Sequence, residues 1–198
     1  AADPSIQLIV IGGDMPGALL QKAQGEAMPS LGAEYARHAL AKAGDKAWAI
    51  AEHAVMGGVL RDASADEAYL SLVAHAHHVG MLLEENRRRL AELAPHVLVT
   101  QTEQMVAVGG PDRPSDSSLT AAVVWATFAN WFLRSDGFVP LFTRSAMINH
   151  GDLLAKERGV VYPFPGYHGQ AMYANQPGRT PVRVEMEGPV MRVPAGPF

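Results

Sequence analysis

The segment HAHH at residues 75–78 holds three of the eight histidines of the chain. Neutral imidazoles ligate transition metals and carry protons near neutral pH, so spacing decides what such a run can do. Tyr69, Leu72, Val73, Ala76, Val79, Leu83, Leu90 and Leu93 recur at intervals of three, four and seven, which places the run on an amphipathic helix. Each helical residue turns about 100°, so His77 lies roughly 200° from His75. One ion cannot collect all three rings. His75 and His78 are i,i+3 neighbours on one flank of the apolar stripe, close enough to share a ligand. Glu85 follows on that flank two turns later. His38, four residues after Glu34, and His53, next to Glu52, are the candidates to complete the set from a packed neighbour. The expected metal site is therefore His75, His78, Glu85, His38 and His53, between segments 31–61 and 64–94. The plainer alternative is polar histidines at a helix seam or surface. The Glu-x-x-His pair of di-iron bundles is absent.

Other chemistries find less support. There is no cysteine, which removes disulfides, thiolate nucleophiles and zinc–thiolate sites. LIVIGGDMPGALL carries Gly12, Gly13 and Gly17, but Asp14 stands where a dinucleotide fingerprint needs its middle glycine, and an acid there repels phosphate. Ser145, His150 and Asp152 lack the G-x-S-x-G elbow that would support a triad. The net charge is -4, and Arg87, Arg88 and Arg89 follow Glu84 and Glu85. No basic stripe remains to neutralise phosphates, so nucleic acid is excluded as a partner.

The elements that must position these residues read mostly as helices. SIQLIVIGG is a buried strand ending at two glycines. Residues 31–61 are alanine-rich and read as two helices meeting at Gly44-Asp45, or one with a flaw there. Ser64 and Glu67 form a capping box that starts a single helix over 64–94, ended by Pro95. Residues 97–108 fit a strand or a short helix, and Pro140 to Gly151 fits a short helix. Ser117 to Leu133 is uncharged, but Thr120, Thr127 and Asn130 favour a central core helix over a membrane span. After residue 160 the chain turns rich in proline, glycine and tyrosine, and VRVEMEGPVMRV alternates as a hairpin would.

The fold class expected is mainly α, a helical bundle-like core with an N-terminal strand and an extended C-terminal arm ending in a β-hairpin, α+β overall. The division expected is a helical domain over 1–159 and an arm over 160–198. Tyr162, Phe164, Tyr167 and Tyr173 make the arm a protein-binding element, because tyrosine is favoured at interfaces. The leading functional expectation is a non-catalytic structural subunit that contacts other protein subunits through this arm and holds no cofactor. The alternative is a metal-dependent enzyme, or enzyme subunit, using the His/Glu site with a transition metal. The opening AADPS resembles the product of signal-peptide cleavage and suggests export to the periplasm or outside; a cytoplasmic or virion-associated protein is the other expectation.

Overall fold

The computed structural model describes residues 3, 5–14, 31–56, 64–106, 117–149, 153–176, 178, 180, 182 and 184–190. The chain alternates strand and helix: β1 (Leu8–Asp14), α1 (Leu31–Ala43), β2 (Ala47–Met56), α2 (Ala65–Leu93), β3 (Leu98–Val106), α3 (Leu119–Leu133) and β4 (Leu141–Phe142). The four strands form one parallel sheet in the order β1-β2-β3-β4. A hairpin of β5 (Leu154–Glu157) and β6 (Val160–Pro163) and a helix α4 (Pro165–Ala174) follow.

This arrangement overturns the mainly helical expectation: the chain is α/β. The difference lies in AWAIAEHAVM, residues 47–56, which reads as helix in the sequence and is strand β2. Alanine favours helices in isolation, but propensity is a weak prior that tertiary context overrides. Strands of parallel sheets are commonly near-continuous apolar runs without polar alternation, and most of β2 is of this kind. Ala47, Ala49, Ile50, Ala51 and Ala54 are all buried. An alanine run of this kind satisfies the helical and the buried-strand patterns equally. The break at Gly44-Asp45 is real: Gly44 has φ +54 and closes α1 before a short 3-10 turn leads into β2.

Neighbouring strands run in sequence order with helical crossovers. Right-handed crossovers that always step the same way place their helices on one face of the sheet. One core cluster accordingly joins Leu40 of α1, Leu72, Val79 and Leu83 of α2, and Val124 and Phe128 of α3 to Ile50, Val99 and Val106 of the strands. The helix α2 is continuous, as its periodicity predicts, and its capping box is complete: Ser64 Oγ accepts from Glu67 N and Ser64 N donates to Glu67 Oε2 at 2.9 Å. No described helix is long and apolar enough to cross a membrane.

The C-terminal region also differs from the reading of an extended arm. Pro165 opens α4 from its first turn, where its missing N–H costs nothing. Tyr173 Oη donates to Asn130 Oδ1 of α3 at 3.0 Å, and its ring meets Trp125 edge-on. The strands β5 and β6 pair across Arg158 and Gly159, both at positive φ, as a two-residue type I′ hairpin requires. Their ladder spans position 159, where the two expected segments meet. The hairpin expected over 182–193 does not form among its described residues: 182 and 184–190 have no regular secondary structure. The short helix expected from Pro140 is replaced by β4 and an irregular segment to residue 149.

Candidate functional site

In a parallel sheet, paired residues of adjacent strands present their side chains to the same face, and successive residues alternate between faces. The register of β2 and β3 therefore sorts the polar residues of these strands into two rows. Ile50 pairs with Val99, Glu52 with Gln101 and Ala54 with Gln104. Ile50, Val99 and Ala54 belong to the helix-packed core, so Glu52, Gln101 and Gln104 share that face. On the opposite face His53 pairs with Glu103.

The first row is buried. Glu52 is 7% exposed, Gln101 0% and Gln104 2%. Among the described residues Glu52 is the only acid that the fold buries. Gly12 of β1 makes room for it: a Cβ there would lie 3.0 Å from Glu52 Oε1, 2.7 Å from Ile50 Cγ1 and 2.6 Å from the Ala51 carbonyl. Both side-chain amide atoms of Gln101, and both of Gln104, lack a hydrogen-bond partner within the protein. An unpaired buried polar group costs about 1–3 kcal/mol. Two adjacent buried glutamines with unused amides are thus expensive as core residues and well suited to hold a polar ligand. The irregular segment after β4 frames them: Thr143 N donates to the Gln101 carbonyl at 2.8 Å and Ser145 N to the Gln104 carbonyl at 3.2 Å.

The second row is half-exposed. His53 Nδ1 lies 3.4 Å from Glu103 Oε2. The register of β1 with β2 sets Asp14 beside His53.

The histidines and acids singled out by spacing are dispersed. Among the described residues no three histidine or acidic side chains gather to hold a metal ion. His75 is buried at the α2 seam, and desolvation, with a smaller effect of His78, lowers its pKa to about 4. His78, His77 and His38 are exposed. His77 meets Trp131 edge-on at 5.1 Å, on the other side of the helix as the angular argument requires. Glu85 accepts from Arg88 at 2.7 Å and Arg89 at 2.8 Å, and these hydrogen bonds hold its carboxyl below the usual range. His53 sits on β2 and not on a helix, next to Glu103. Of the aromatic set, Tyr162 and Phe164 contact each other, Tyr167 is exposed and Tyr173 is engaged with α3. His150 and Asp152 lie outside the described residues.

Gln101, Gln104 and Glu103 carry no signal in the sequence because their segment fits a strand or a helix equally, and Glu52 enters there only as a neighbour of His53 in a segment that reads as helix. The sequence carries one signal: a lone acid inside the apolar run AWAIAEHAVM is unusual, because acids are seldom buried unpaired.

The chain matches no family model and no curated protein. Among solved structures it is similar to the GH51 arabinofuranosidase from Xanthomonas axonopodis pv. citri, with TM-score 0.63 and 14% identity over 87% of this chain and 36% of that one. It is also similar to the alpha-L-arabinofuranosidase from Thermotoga maritima in its arabinose complex, with TM-score 0.60 and 19% identity over 84% of this chain and 31% of that one. The chain thus spans about a third of the length of these structures, and at such identities the likeness is one of fold: an α/β arrangement shared with part of TIM-barrel glycosidases.

Proposed function

We propose that the chain carries part of a glycoside hydrolase site in which Glu52 is the carboxylate facing the anomeric carbon and Gln101 and Gln104 bind sugar hydroxyls. The observation behind this reading is the burial of Glu52, alone among the acids of the described residues, beside two unpartnered amides on an adjacent parallel strand, with Glu52 and Gln104 in the carboxyl halves of β2 and β3. Active sites of β/α barrels lie at the carboxyl ends of their strands. Glycosidic hydrolysis engages two carboxyl groups, one as proton donor and the other as nucleophile or base. A buried carboxylate backed by strand main chain suits the nucleophile's part: one oxygen attacks the anomeric carbon, the glycosidic bond breaks, and the leaving oxygen takes the electron pair. The fold likeness to arabinofuranosidases points to a pentofuranoside as the first substrate to try. The test is hydrolysis of nitrophenyl α-L-arabinofuranoside by the purified chain and by Glu52→Gln. Turnover that disappears in Glu52→Gln supports the reading; turnover unchanged by that substitution, or none with any aryl glycoside, contradicts it.

A second reading is a subunit that docks to other proteins through its C-terminal region. It is favoured by Val182, Val184, Met186 and Val190, all at least 65% exposed and outside any sheet. Strand addition to a partner's sheet edge would cover them. Deleting residues 178–198 should lower the native mass if this holds; a full-length chain that runs as a monomer contradicts it.

A further inference from the structure

Glu52 is seated between two irregularities of the sheet. The β1–β2 ladder breaks between Ile11 and Gly13, and the β2–β3 ladder breaks between Glu52 and His53. At the first break Ile11 pairs with Ala51 and Gly13 with Glu52, which leaves Gly12 as the extra residue of a β-bulge. Bulges re-aim side chains and are over-represented next to active sites. A glycine inside a strand marks a bulge or the close approach of another backbone, and Gly12 meets both descriptions. Three consecutive residues of β2 close on it: the nearest atoms to a Cβ there would be the Ala51 carbonyl oxygen, Ile50 Cγ1 and Glu52 Oε1.

These three neighbours differ in what they can yield. The carbonyl belongs to β2, which is paired on both sides, and Ile50 is buried in the core. The Glu52 carboxylate is the far end of a flexible side chain, so it gives way most readily to an added methyl group. The strand β1 lies at the sheet edge and is paired on one side only, so it can also draw back. Either movement takes from Glu52 the wall against which its carboxylate rests.

We infer that Gly12 is a positioning residue for the reaction: by lacking a side chain it lets the β1 backbone stand against the Glu52 carboxylate and hold it where it attacks the anomeric carbon. The inference rests on the reading of Glu52 as the nucleophile. Gly12 acts through Glu52 and not on the sugar. With a methyl group at position 12, Oε1 must retreat from 3.0 Å to at least 3.4 Å, where ordinary contact begins. Misplacing a reacting group by about 1 Å costs roughly a hundredfold in rate, so a loss of roughly tenfold to hundredfold in the attack step is expected.

The test is the burst of dinitrophenolate released from a dinitrophenyl arabinofuranoside by the full chain and by Gly12→Ala, counted per folded chain after circular dichroism. In the burst a Glu52 oxygen bonds to the anomeric carbon and dinitrophenolate leaves with the electron pair. Gly12→Ala should slow the burst by the stated factor at an unchanged half-saturating concentration, because Gln101 and Gln104 still hold the sugar. Gly80→Ala, which strains the α2–α3 crossing at Trp131, should leave the burst per folded chain unchanged. Azide gives a readout that sheet distortion alone would move. In Glu52→Ala an azide nitrogen bonds to the anomeric carbon in place of the carboxylate, and adding Gly12→Ala should leave that rescued rate unchanged. If Gly12→Ala alone does not fold, Gly12→Ala combined with Glu52→Ala should fold, because the contact with the carboxylate is gone. An undiminished burst in Gly12→Ala, an equal slowing in Gly80→Ala, or a raised half-saturating concentration with an unchanged maximal rate would each overturn the inference while leaving the role of Glu52 intact. So would an equal loss of the azide-rescued rate, or a double variant that also fails to fold. No burst from the native chain would overturn the proposed function, and the inference with it.

Discussion

The buried His75 makes the stability of this fold depend on pH in a window that can be calculated. Its ring is 7% exposed on α2, and burial, followed by the neighbouring His78, lowers its pKa from 6.5 to about 4. The neutral ring is therefore favoured by folding. In the unfolded chain the same ring binds a proton near its ordinary pKa, so between the two values the unfolded state holds more protons and stability must fall as pH falls. The full contribution is present above pH 6.5 and is lost progressively as the pH drops from 6.5 to about 4. One pH unit corresponds to about 1.4 kcal/mol, so the loss across the window is about 3 kcal/mol. That is a large part of the few to fifteen kcal/mol that stabilise a domain of this kind. Urea unfolding at pH 7.5, 6, 5 and 4 should show the midpoint falling across the window with little change in slope. In His75→Leu the fall over pH 6.5–5 should largely disappear, while His78→Ala should reduce it slightly because His78 is the smaller cause. The paired acids Glu67 and Glu85, whose pKa values are lowered by hydrogen bonds, lose their contribution below the ordinary carboxylate range and so steepen only the lower end. A native midpoint flat from pH 7.5 to 5, or one falling identically in His75→Leu, would refute the reasoning.

Two further substitutions probe the packing and the site. A Cβ at Gly80 of α2 would fall within the indole ring of Trp131 on α3; Gly80→Ala gains about 1 kcal/mol in helix propensity but overpacks the crossing by about 1–3 kcal/mol, so urea denaturation should show a net loss that adding Trp131→Ala relieves. Gln101→Met and Gln104→Met replace unpartnered buried amides by apolar chains of similar size, so each should leave stability unchanged or raise it by about 1 kcal/mol while lowering turnover of an arabinofuranoside; a loss of stability of that size would mean the amides are paired in the folded chain.

Legibility from sequence divided along physical lines. The α2 helix was readable to its first residue, because a capping box and a stripe of large aliphatic residues at helical spacing have no strand interpretation. The same periodicity alone sets His77 apart from His75, and the structure agrees. The sheet was not readable, because β2 is made largely of alanine. Small residues suit a strand buried on both faces and a helix alike, and only the pairing with β1 and β3 distinguishes the two. Misplacing β2 also hid the site: Glu52 and His53 are adjacent in sequence, yet a strand sends them to opposite faces, Glu52 beside Gln101 and His53 beside Glu103. Near the C-terminus, Pro and Tyr content suggested an extended arm, whereas Pro165 at a helix start and Tyr173 against Trp125 tie α4 to the body of the fold.

The central claim is that Glu52 is a nucleophilic carboxylate, and covalent trapping tests it most directly. A dinitrophenyl arabinofuranoside has a leaving group that departs without protonation, so it reports on the nucleophile alone. Mixing it with the chain, quenching in acid within the first turnover and digesting for mass spectrometry should give one pentosyl unit on the peptide containing Glu52, with an initial burst of dinitrophenolate in the same amount, and neither in Glu52→Gln. A pentosyl adduct on another residue, or dinitrophenolate released equally by Glu52→Gln, would contradict the account.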